Sequence, residues 1–128
     1  MMLMWTSWTT IAVLIMYFWT IFKVGKARTI YKVPAPSVEG PPEFLRALRV
    51  QMNTVEQLIF FLPALWLCAY WYDDKVAAMG GIIWVVGRML YALGYYNEPK
   101  KRALGFVVSM MATFALLAFA AYGLILLR

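Results

Sequence analysis

The chain has 128 residues, 64% of them hydrophobic and 14% charged, with a net charge of +6, one cysteine and no histidine. Soluble domains carry about 25% charged residues, and here the charges sit in clusters between long apolar runs. A soluble domain this small has too much surface for its volume to bury all of those runs, so a soluble fold is excluded. Cys68 alone permits no intrachain disulfide and reads as a small buried hydrophobe. One thiol without any imidazole makes no metal site. The excess of positive charge fits membrane sidedness and a site for an anion. Basic and aromatic residues do not alternate as they would on a nucleic-acid surface, so no nucleic-acid partner is expected.

About 20 apolar residues carry a helix across a bilayer, and four stretches reach that length. The first is 4–22. It lacks a basic segment ahead of it and a small-residue cleavage site behind it, and Lys23, Lys26 and Arg28 follow at once. This stop-transfer pattern predicts a retained span. The connection that follows is basic and holds Pro34, Pro36, Gly40, Pro41 and Pro42. The proline pair predicts an extended approach to a helix start, with Glu43 in the first turn where the helix dipole favours it.

The second span is 44–72, bent at Pro63. Only Asp73, Asp74 and Lys75 separate it from the third, 76–96, so the two form a tight antiparallel hairpin. Asn97 to Arg102 contains Pro99 as a stop and leads to the fourth span, 103–127. The expected fold is an all-α integral membrane protein, a single domain over 1–128 built as a bundle of four transmembrane helices. Basic residues crowd the first and third connections, which places both on the cytoplasmic side and both termini opposite.

Polar groups interrupt two of these spans. Arg49, Asn53 and Glu56 are spaced by four and three, so they share one face of the second helix. Gln51 lies off that stripe and Gln57 beside it. Arg88, Tyr91 and Tyr95 share a face of the third helix, and the same period reaches Glu98 and Arg102 if the helix continues through Pro99. A charge inside the bilayer costs several kcal/mol, about 2.5–3.5 on the milder scales, so these groups face the bundle or a wet cleft. An ion pair between Arg88 and Glu56 is one structural reading. It leaves Arg49 and Arg102 in surplus, a set suited to a small ligand bearing carboxylates, which the arginine fork matches.

The run Phe44-Leu-Arg-Ala-Leu-Arg-Val-Gln-Met-Asn-Thr-Val-Glu56 resembles a signature of the membrane-associated proteins in eicosanoid and glutathione metabolism (MAPEG). So does Gly87-Arg-Met-Leu-Tyr-Ala-Leu-Gly-Tyr-Tyr96, followed by Pro99 and Arg102. The flavour is that of the leukotriene C4 synthases and of the microsomal glutathione transferases of the third type. The resemblance implies a homotrimer that binds glutathione between subunits near the cytoplasmic face. It places Arg49, Asn53, Glu56, Tyr91 and Tyr95 on glutathione, with Arg28, Gln51 and Arg88 at or beside it, and gives Arg102 the stabilisation of the thiolate.

The implied reaction adds glutathione to a lipophilic electrophile or reduces a lipid hydroperoxide, in detoxification or lipid metabolism. The family also holds a non-catalytic lipid-presenting scaffold and a glutathione-dependent prostaglandin isomerase as alternatives. Two departures from the synthases stand out. Thr29 replaces an arginine near their lipid substrate, and Gln57 replaces a tyrosine that touches glutathione.

Overall fold

The computed structural model describes residues 3–127. Four helices follow in order: α1 Met4–Tyr31, α2 Pro42–Trp71, α3 Asp74–Asn97 and α4 Ala103–Tyr122. A 3-10 turn, Pro99–Arg102, joins α3 to α4, and a π turn, Gly123–Leu127, ends the described chain. All four helical segments are long and apolar enough to cross a membrane. The four expected spans are present, but α1 runs nine residues past the expected end at 22. Lys23, Lys26 and Arg28 end the apolar run without ending the helix, because they are good helix formers, no proline intervenes and the single Gly25 costs only about 1 kcal/mol. Lys32 closes α1 in a left-handed conformation (φ 56°, ψ 47°), its N–H donating to the Arg28 carbonyl.

The hairpin aspartates both cap helix starts. Asp73 accepts from the Val76 N–H at 3.0 Å at the start of α3. The Asp74 carboxylate reaches across to α1, accepting from Trp5 N at 3.0 Å and Thr6 N at 2.8 Å, while Thr6 Oγ1 donates to the Asp74 carbonyl. Free N–H groups at the beginning of α1 are thus satisfied by the turn of the α2–α3 hairpin. Pro41 and Pro42 open α2 as expected, with Pro42 at its first position and Glu43 in its first turn.

The centre of the bundle is apolar. Phe61 of α2 stacks on Trp84 of α3 with centroids 4.0 Å apart and planes 8° from parallel. Leu65, Cys68 and Leu116 surround that pair and are fully or almost fully buried. The exterior is equally apolar: Phe18, Ile59 and Ile125 are 68%, 73% and 70% exposed. Water would not tolerate such a surface, and lipid would.

Helices α3 and α4 approach closely through Gly87 and Gly105. A methyl group at Gly105 would strike the Tyr91 amide nitrogen and the Gly87 carbonyl, both backbone atoms. Small residues at such crossings let membrane helices touch. Gly105→Ala is therefore expected to destabilise the bundle by about 1–3 kcal/mol. Gly25→Ala, which meets nothing within 4 Å, is expected to be neutral or slightly stabilising. Thermal unfolding of both variants in detergent checks the contrast, and an unchanged midpoint for Gly105→Ala would show that the helices can part at little cost.

Candidate functional site

The site grows from the rotation of α2. Val50, Thr54, Gln57 and Phe61 form a buried stripe, while Arg49 and Glu56 are exposed and Asn53 is half-buried at its edge. The spacing puts the three on one side of α2, but that side does not turn into the bundle: Arg49 and Glu56 face outward from the chain, and only Asn53 reaches the buried edge. The opposing stripe on α3 is buried: Arg88 is 1% exposed and Tyr91 4%.

Arg88 does not pair with Glu56. Its Nη2 donates to Asn53 Oδ1 and to Thr54 Oγ1, both at 2.8 Å, while Nε and Nη1 are buried without a partner among the described residues. Helix geometry gives the reason. Thr54 and Glu56 lie two residues apart, about 200° around the helix, so when Thr54 faces α3, Glu56 faces away. Thr54 in turn donates to the Val50 carbonyl at 2.7 Å, which leaves its oxygen to accept from Arg88. Because a guanidinium only donates, Asn53 must turn its oxygen inward. Its NH2 group is left for the outer face.

From Arg88 a ladder of stacked groups runs to the end of α3. The Arg88 guanidinium carbon lies 4.1 Å from the Tyr91 ring centroid. Tyr91 and Tyr95 meet edge to face at 5.6 Å. The Arg102 guanidinium carbon stands 5.5 Å from the Tyr95 centroid. The helix does not continue through Pro99: α3 stops at Asn97 and Glu98 is extended (φ −157°, ψ 129°). The 3-10 turn returns Arg102 to Tyr95 instead, and Arg102 Nη1 donates to the Pro99 carbonyl at 2.6 Å. Arg102 remains exposed, at the basic end of the bundle.

Two expected site residues lie elsewhere. Arg28 folds onto its own connection, donating to Ser37 O at 2.8 Å and Val33 O at 3.4 Å, with its guanidinium 5.1 Å from the Phe44 ring centroid. Gln51 Nε2 donates to the Tyr17 hydroxyl at 2.7 Å, on the side of α1. Within this chain the structure therefore gathers Asn53, Arg88, Tyr91, Tyr95 and Arg102. It sets Arg49 and Glu56 on the adjoining outer face and holds Arg28 and Gln51 apart. Gln57 is buried, its Oε1 without a partner among the described residues. Thr54 was not singled out in the sequence, because a threonine inside an apolar helix usually bonds only its own backbone.

Residues 6–122 match the MAPEG family. The chain is 43% identical over 114 residues to an uncharacterized protein of Synechocystis sp., a match covering 89% of this chain and 83% of that one. It is 42% identical over 88 residues to microsomal glutathione S-transferase 2 of Homo sapiens, covering 69% of this chain and 60% of the relative. It is 33% identical over 119 residues to leukotriene C4 synthase of Bos taurus, covering 93% and 79%. With nearly its whole length matched and with the polar ladder on α2 and α3 in place, the chain belongs to the MAPEG family.

Proposed function

We propose that this chain is a membrane-bound glutathione transferase. It adds the glutathione thiolate to lipophilic electrophiles and, by the same activated sulfur, reduces lipid hydroperoxides. The observation that carries the reading is the ladder from Asn53 through Arg88, Tyr91 and Tyr95 to Arg102, beside the outward charges of Arg49 and Glu56. This is a donor-rich surface with one carboxylate, suited to a ligand bearing two carboxylates, one ammonium and one thiol. The human relative, microsomal glutathione S-transferase 2, is a transferase of that ligand by name.

Arg49 and Glu56 are exposed on α2, within a helix long and apolar enough to cross a membrane. Lipid cannot solvate them, so a neighbouring copy covers this face. Arg28 and Gln51, held on the α1 side, are then available to complete the site from the next subunit. The assembly is a homotrimer, with glutathione bound between subunits at the basic, cytoplasmic end.

Arg49→Gln and Glu56→Gln test the reading. A charge-assisted hydrogen bond contributes about 1.5–3 kcal/mol, so each loss is expected to weaken glutathione binding by about 10–100-fold. Calorimetric titration of the detergent-purified protein, with its mass measured in parallel, reads both affinity and assembly. Unchanged affinity in both folded variants would make the α2 stripe structural. A monomer that binds glutathione fully would end the shared-site arrangement.

A further inference from the structure

A second polar pocket lies at the basic end, on the other side of α3 from the ladder. Tyr95 and Tyr96 are consecutive and point about 100° apart. Tyr95 meets Arg102, whereas Tyr96 meets Trp19 of α1 edge to face at 5.8 Å. Around Tyr96 opens a cavity of about 280 Å³ lined by Lys23, Lys26, Tyr31 and Glu43 among others. The Lys23 ammonium is held over two rings, 5.7 Å from the Trp19 centroid and 5.3 Å from that of Tyr96. None of the nearby arginines lines the cavity: Arg28 donates to Ser37 O, Arg46 to Asn97 O and Arg102 to Pro99 O. The two lysines face the cavity instead.

The pocket sits where the apolar run of α1 gives way to its basic extension, the level of lipid headgroups. Trp19 joins it to a second feature. The same tryptophan lines an apolar groove of about 600 Å³ along α1, with Ile11, Leu14, Ile15, Phe18 and Phe22. Charge above and a long apolar groove below match an amphiphile.

We propose that this pocket seats the phosphodiester of an anionic phospholipid, with Lys23 and Lys26 on the phosphate and an acyl chain in the α1 groove. Two ammonium groups against the Glu43 carboxylate leave one positive charge, the complement of one phosphodiester. The net positive charge favours phosphatidylglycerol, with its net charge of about −1, over the electrically neutral phosphatidylcholine, and Glu43 can accept from a glycerol hydroxyl. Basic pockets between helices on the cytoplasmic side take such headgroups. The bound lipid would tie the long α1 extension to α2 and α3. The inference does not depend on glutathione chemistry.

The test is native mass spectrometry of the intact protein exchanged into phosphatidylglycerol or phosphatidylcholine of equal chain length. The expected result is retention of phosphatidylglycerol in preference to phosphatidylcholine. Lys23→Gln/Lys26→Gln should weaken phosphatidylglycerol retention by about thirtyfold, from two interfacial lysines. Lys75→Gln, at the opposite end, should leave it unchanged. Lys23→Arg/Lys26→Arg keeps the charge and should keep the lipid, which separates lost recognition from lost folding. Equal retention of the two lipids, or full retention by the glutamine variant, would overturn the proposal. Displacement of phosphatidylglycerol by millimolar inorganic phosphate would also overturn it, leaving a free-phosphate site.

Discussion

Arg102→Leu is expected to reduce turnover on a lipophilic electrophile by about 100–1,000-fold, the range for removing one preorganised anion-stabilising donor. Glutathione affinity should stay within about threefold, the pattern of an interaction made mainly with the reacting species. The chain offers no histidine to act as a base, and Cys68 is fully buried in the core. In the proposed reaction the nucleophilic sulfur is therefore the ligand's. An arginine is always charged and cannot take the thiol proton, but beside a thiolate it raises the reactive fraction. Arg102 is positioned for that task by the Pro99 carbonyl on one side and the Tyr95 ring on the other, and its remaining N–H groups make no further hydrogen bond among the described residues. Ultraviolet absorbance of bound thiolate, titrated against pH and paired with conjugation and peroxidase assays, reads the effect. Thiolate should appear only at higher pH in the variant. Unchanged titration and unchanged turnover would remove Arg102 from the mechanism.

The four helices were legible because hydropathy fixes spans, and because Pro42, the hairpin aspartates and Pro99 punctuate them. The end of α1 was not, since charge marks where a membrane ends and not where a helix does. The α2 stripe was legible from spacing alone, as Arg49, Asn53 and Glu56 do share one side of that helix. Partners across helices were not. Spacing places Arg88 at the level of residues 53–56, but the rotation of α2 decides whether Thr54 or Glu56 meets it. That rotation is set by the stacking of Phe61 on Trp84 and by the rest of the core, which no local pattern encodes. Likewise Arg102 reached Tyr95 by a break in the helix and not by its continuation. The family resemblance also puts Arg28 and Gln51 into one set with Arg49, whereas within one chain they stand apart.

Arg88→Met is expected to weaken glutathione binding by about tenfold or more, the loss of one oriented hydrogen bond near a charge, with little change in stability. The two halves of that expectation have one cause. Arg88 is a buried cation with no carboxylate beside it, and its Nε and Nη1 have no partner among the described residues. Replacing such a charge by an apolar side chain of similar length relieves its desolvation, which offsets the loss of its bonds to Asn53 and Thr54. What does not recover is the orientation of Asn53. Without a donor behind it, the Asn53 amide turns freely, and its NH2 group is no longer fixed towards the ligand. Asn53→Asp separates the two effects from the other direction. An ionised carboxylate there pairs with Arg88 and should stabilise the subunit, yet it presents an acceptor where the ligand needs a donor, so glutathione binding should fall. Thermal midpoints and calorimetric titrations on both variants make the comparison. If Arg88→Met folds and binds glutathione as the wild type does, Arg88 serves only the helix contact and the orientation of Asn53 is set by something else.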